Sequence, residues 1–164
     1  MGERQTAALL ARLPAGWTVW HGCRLPGRRH DLDHVLASPC GTAVVVLDSK
    51  RWHARRPTHD RGGRVWCGEE DRHDKIEAVA RYAARLQTAL GMPGVVVWPL
   101  LVIHGSRIEG GRLEVRAPDW PGVVHVLGPD WLVPTLASAP SGIDPGRAAA
   151  VVARLGQVLS PAVG

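Results

Sequence analysis

The stretch Gly41-Thr-Ala-Val-Val-Val-Leu-Asp48-Ser-Lys50 decides the fold. From Thr42 to Leu47 it is an unbroken run rich in β-branched side chains, and Pro39 to Gly41 supplies a turn before it. A strand that is apolar on both faces is normally covered on both sides, which places it in the middle of a sheet. The run leads straight into Asp48, Ser49 and Lys50. Side chains two apart on a strand share a face, so Asp48 and Lys50 should project together from the end of a buried strand.

Upstream, His30 to Ala37 reads as the preceding strand, with Asp31 and Asp33 on one side and Leu32, His34 and Leu36 on the other. If the turn at Pro39 to Gly41 makes these two strands a hairpin, Asp33 arrives beside Asp48. His34 is expected to pack or hydrogen-bond next to them. Trp17 to His21 reads as an earlier strand, followed by a turn at Leu25-Pro-Gly27. Gly2 to Leu13 reads as a short helix, with Thr6, Leu9, Leu10 and Leu13 on one face. Glu3 lies in its first turn, where the helix dipole favours a carboxylate.

Downstream, Arg51 to Arg64 is polar and reads as irregular, with a turn at Gly62-Gly63 and a short strand from Arg64 to Cys67. Glu69 to Leu90 carries a helical stripe of Ile76, Val79, Ala80, Ala83, Leu86 and Leu90. Glu69, Glu70, Asp71 and Asp74 gather at its start, as the dipole prefers, and Gly91 and Pro93 stop it. Lys75 and Gln87 are expected on its surface. Val95 to His104 is a second buried strand, Ile108 to Arg116 a hairpin arm turning at Gly110-Gly111, and Gly122 to Leu127 a last strand. Two short helices close the chain, Asp130 to Ala137 and Asp144 to Leu159. The order predicts a mixed α/β fold, a buried central strand in a mixed sheet flanked by helices. At 164 residues the chain is expected to form a single domain over its whole length.

Composition narrows the function. With 45% hydrophobic and 21% charged residues, the chain is in the ordinary globular range, which argues against disorder. The longest apolar stretch, Val95 to Ile103, is too short to span a bilayer and contains Pro99, so no membrane partner is expected. The first thirty residues have no long apolar core, so no secretory signal is expected. Cys23, Cys40 and Cys67 are odd in number and lack the paired spacing of a zinc site. Reduced thiols in the cytoplasm are the better reading.

The net charge is +5. Between Arg24 and Arg64 nine basic residues stand against Asp31, Asp33, Asp48 and Asp60, so this segment holds the whole excess. Such a segment is either a solvated basic loop or a surface for a polyanion. On the second reading Arg51, Arg55, Arg56, Arg61 and Arg64 contact phosphates, while Trp52 and Trp66 can stack on bases. The other tryptophans are expected mostly in the core, in place of the missing phenylalanines.

Two carboxylates at a strand end can hold Mg²⁺, which wants oxygen ligands and keeps several waters. Without a cation, such a pair repels by up to about 4 kcal/mol at ~4 Å and an effective dielectric of ~20. Lys50 can orient a metal-activated water or stabilise transition-state charge. Lysine is scarce here, 2 against 18 arginines, which suggests that Lys50 stands where a compact point charge is needed.

Gly2-Glu3 opening a helix, Asp33-His34-Val35, Gly41 to Lys50, the strand end Val102-Ile-His-Gly105 and the helix from Arg72 to Leu90 together resemble the nuclease-related domain family. The resemblance covers roughly residues 2 to 130 and leaves the C-terminal helices of 131 to 164 outside it. It implies the PD-(D/E)XK restriction-endonuclease-like fold and a nuclease that uses Mg²⁺ or Mn²⁺ on nucleic acid, with DNA the expected substrate. By resemblance Glu3, Asp33 and Asp48 are metal-site acids and Lys50 is the catalytic lysine. The alternative is the same fold without catalysis, binding nucleic acid or serving as a protein-interaction module.

Overall fold

The computed structural model describes residues 2–28, 31–138 and 142–162. Arg29 and the predicted strand start at His30 lie outside them. The main sheet consists of β1 (Thr18–Arg24), β2 (Leu32–Ala37), β3 (Ala43–Arg51), β7 (Val96–His104), β8 (Arg112–Val115), β9 (Val124–Leu127) and the short β10 (Ser160–Pro161). Their spatial order is β10-β1-β2-β3-β7-β9-β8. β1, β2 and β3 form an antiparallel meander, β3 runs parallel to β7 and β7 to β9, and β8 returns antiparallel on β9. The sheet is therefore mixed, and β3 lies at its centre. This is the expected architecture.

The apolar run of β3 works as its composition implies. Val44 and Val46 enter one core together with Val35, Leu101 and Ile103, under α2 (His73–Leu90) and α4 (Pro145–Val158). Val45 and Leu47 enter the opposite core with Leu36, Leu100 and Val102, under α1 (Gly2–Leu10) and α3 (Pro129–Ala137). Each fully buried Val or Leu contributes about 1.5–3 kcal/mol, so a one-residue slip of β3 would still bury apolar groups but would misplace the polar end. All six stripe residues of α2 are buried.

Four expectations are corrected. The stretch after β3 is not irregular: β4 (Thr58–Arg61), β5 (Arg64–Cys67) and β6 (Glu70–Asp71) form a separate three-stranded antiparallel sheet. The helix begins at His73 rather than Glu69, because Glu70 and Asp71 pair with Trp66 and Cys67 as β6. Gln87 is not a surface residue of no consequence. Its Nε2 donates to the Val95 carbonyl at 2.8 Å and its Oε1 accepts from Val97 N–H at 2.9 Å, clamping the start of β7 to α2. Lys75 does sit near the helix surface, 3.4 Å from the Asp74 carboxylate. The tryptophans are mostly not core residues, since only Trp52 is buried, and Trp98 and Trp131 are exposed.

Candidate metal and phosphate site

The antiparallel register between β2 and β3 sets His34 opposite Leu47. Continued by one residue, it sets Asp33 opposite Asp48, and directly opposed residues point to the same face. That face is the one packed by α2, since Asp33 alternates with Val35 and Asp48 with Val46. The hairpin inferred from the turn thus brings the two carboxylates together at the strand ends. Oδ2 of Asp33 accepts the backbone N–H of Ser49 at 2.9 Å. Nζ of Lys50 lies 3.1 Å from Oδ2 of Asp48. Asp33, Asp48 and Lys50 are all partly buried, so the cluster is open to solvent on one side.

Electrostatics marks Asp33 as the unusual group. Burial, then a hydrogen bond with Asp48, then the nearby Asp48 charge push its pKa up from 3.8 to about 8. The Ser49 amide opposes this without cancelling it. In the absence of a cation the pair therefore shares its charge, with Asp33 holding a proton. Burial alone would lower the Lys50 pKa, but the Asp48 carboxylate outweighs it and holds the ammonium charged.

Glu3 stands apart from this pair in the structure. It is exposed on α1, whose apolar side packs on the opposite face of the sheet. Its charge reaches Asp33 and is among the smaller causes of the raised pKa. Among the described residues no group of three or more His, Cys, Asp or Glu side chains is close enough to hold a metal. The acids brought together are two.

His34 packs beside the site as anticipated. Its Nδ1 lies 2.8 Å from Nδ1 of His21, and burial followed by His21 lowers its pKa to about 4, so it is neutral. Behind the site runs a buried chain that the sequence reading missed. Ser49 Oγ donates to Thr6 Oγ1 at 2.6 Å, and Thr6 Oγ1 lies 2.8 Å from Nε2 of His104. It ties α1 and β7 to the residue between Asp48 and Lys50. Tyr82 of α2 was also missed; it lies near enough to Lys50 to bear on its pKa, which places it on the same side as the acids. The only sequence signal was its position one helical turn from the buried Val79 and Leu86.

The basic segment is sorted by the fold. Arg56 pairs with Glu70 at 2.8 Å, Arg64 with Asp71 at 2.6 Å, and Arg61 with Glu69 at 3.8 Å. The acids once assigned to the start of α2 thus fold back as β6 and neutralise this hairpin. Arg55 is exposed, and Arg51 is exposed with Nη1 donating to Gln5 Oε1 at 3.1 Å. Trp52 is 7% exposed, with the Arg72 guanidinium 5.9 Å from its ring centroid, so burial rules out the base stacking expected of it. Trp66 is partly buried beneath Arg61, 4.5 Å from the ring centroid.

A family model described as nuclease-related domain matches residues 1–104, which contain α1, the meander, the small sheet, α2 and β7. No curated protein and no solved structure matches the chain.

Proposed function

We propose that this chain, which belongs to the nuclease-related domain family, is a metal-dependent phosphodiesterase that cuts nucleic acid, and that its substrate is DNA. The observation that carries the reading is the opposition of Asp33 and Asp48 at the strand ends with Lys50 on the same face. A carboxyl pushed to about 8 beside a second carboxylate suits a divalent cation, which replaces the shared proton. Two oxygen-donor side chains match Mg²⁺ or Mn²⁺, which bind through one or two carboxylates and complete their shell with water and phosphate oxygens.

Asp33 and Asp48 would hold the cation, which supplies polarisation of the phosphoryl oxygen and a water of lowered pKa. Ser49 N–H fixes the rotamer of Asp33. Lys50, charged and held by Asp48, is placed to stabilise negative charge developing on the phosphoryl group or to orient the attacking water. Arg51, exposed at the end of β3, and Arg55, exposed just after it, are the two of the five arginines Arg51, Arg55, Arg56, Arg61 and Arg64 that enter no ion pair among the described residues, and they can offer charge to a phosphate backbone. Among the described residues no helix is long and apolar enough to cross a membrane, and Cys23, Cys40 and Cys67 are free thiols, as the cytoplasm would keep them.

The test is cleavage of DNA and RNA by purified protein with Mg²⁺, with Mn²⁺ and with chelator. Cleavage should need the metal and vanish in Asp48→Ala and Lys50→Ala while circular dichroism stays native. Metal-independent cleavage, or cleavage surviving both changes, refutes the proposal. A second reading, a nucleic-acid-binding module on the same fold without turnover, is favoured by Glu3 lying outside the acidic pair. It predicts salt-sensitive binding and no cleavage under any metal.

A further inference from the structure

On the opposite face of the sheet, at the same strand end, a cavity of about 560 Å³ lies between α1 and the exits of β3 and β7. Gln5 and Arg12 line it from α1 and the turn that follows, Arg51 from β3, and His104 and Gly105 from β7. Gly105 adopts a φ of +86°, and a Cβ there would meet the Trp52 carbonyl oxygen at 2.5 Å, so this wall closes only around a glycine.

The polar groups facing this cavity are donors. Among the described residues neither Arg12 nor Arg51 enters an ion pair, and no carboxylate lines the cavity. Asp130 lines the neighbouring cavity that shares Arg12. Arg51 occupies the Gln5 carboxamide oxygen, which leaves the Gln5 amide hydrogens to donate. His104 backs this wall from the sheet, its Nε2 held 2.8 Å from Thr6 Oγ1. A concave set of two guanidiniums and an amide has the chemistry of a phosphate oxyanion site.

We propose that this cavity binds a backbone phosphate of the nucleic acid, next to the phosphodiester presented to Asp33, Asp48 and Lys50. Lys50 and Arg51 are consecutive on β3, so their side chains leave the sheet on opposite faces at one strand end. A nucleic-acid strand crossing that end meets both. The ion-paired arginines of the small sheet are thereby secondary, and Arg12, which lies far from the basic segment in sequence, becomes part of the landing surface. The inference rests on the nuclease reading for its occupant.

The test titrates a short fluorescein-labelled DNA strand onto the Asp48→Asn protein over a salt series, with wild-type cleavage measured alongside. Arg12→Ala and Arg51→Ala should each weaken binding and reduce the salt slope by about 1, and the double variant by about 2. Arg51→Lys should restore part of the affinity, and melting curves confirm that these exposed changes leave the fold intact. An unchanged slope in the double variant, with wild-type cleavage present, overturns the pocket and leaves the nuclease standing. A slope loss as large in Arg64→Ala also overturns it, by moving the landing surface to the small sheet. Orthophosphate binding that Arg12→Ala abolishes, with DNA affinity untouched, overturns the backbone occupant in favour of free phosphate. Absent cleavage with the slope still falling by those amounts sinks the nuclease reading while supporting the phosphate pocket.

Discussion

The Ser49 backbone N–H donates to Oδ2 of Asp33 across the β2–β3 hairpin at 2.9 Å. The strand that carries Asp48 and Lys50 therefore also aims the third side chain of the site. Ser49 is the hub: its amide serves the acid face, and its hydroxyl serves the buried chain to Thr6 and His104.

Relative to Asp33→Asn, the metal-free protein should lose stability as pH rises from about 4 to about 8. Asp33 has a folded pKa near 8 against an ordinary value of 3.8, so the folded state binds more protons in that window. Stability then falls with rising pH, being complete below the unfolded value and lost through the folded one. His34, His104 and His125 have lowered pKa values and give the opposite slope, so thermal melts in chelator are compared between the wild type and Asp33→Asn. A wild-type minus Asp33→Asn difference that does not fall over this window contradicts the raised pKa.

Magnesium should reverse that loss. A cation that binds only the folded state at about 100 times its dissociation constant stabilises it by ~2.7 kcal/mol. The gain in melting temperature should grow between pH 6 and pH 8 (about the range in which Asp33 gives up its proton). Asp48→Ala should show no gain at any pH, and an equal gain in that variant would place the cation elsewhere.

Thr6→Val keeps the side-chain shape but removes the hydroxyl between Ser49 and His104. It leaves a buried Ser49 hydroxyl and His104 Nε2 unpaired, at a cost of about 1–3 kcal/mol. Urea unfolding should show a lower midpoint with unchanged slope. Thr6→Ser, which keeps the hydroxyl, should recover most of the stability.

Gln87→Leu tests the clamp between α2 and β7. It strands the Val95 carbonyl and the Val97 N–H, and the same range of about 1–3 kcal/mol applies. Hydrogen exchange should quicken first at the start of β7. Uniform exchange at wild-type rates would mean that the amide contributes nothing.

Much of the fold was legible because periodicity survives in one dimension. The six-residue stripe of α2 and the two-faced apolar run of β3 needed no partner to be recognised, since each states its own burial. The turn before β3 made the hairpin, and the hairpin put Asp33 opposite Asp48. The small sheet was legible only in part. Arg64 to Cys67 reads as a strand and is β5, whereas β4 and β6 are four and two residues long and polar, so they carry almost no alternation. Misreading Glu69 to Asp71 as a helix start followed, because acidic residues before an apolar stripe look the same whether they serve a dipole or partner arginines.

The amino-acid order by itself determined the central strand, the α2 helix and the pairing of two carboxylates with one lysine, because all of these follow from local spacing and one short turn. Tertiary structure alone decided which charges remain free. Arg56, Arg61 and Arg64 meet Glu70, Glu69 and Asp71 in and beside β6, Trp52 is covered by packing, and Arg12 in the turn after α1 joins Arg51 of β3. Ion pairing and burial depend on distances between segments remote in the chain, and no count of charges along a sequence contains those distances.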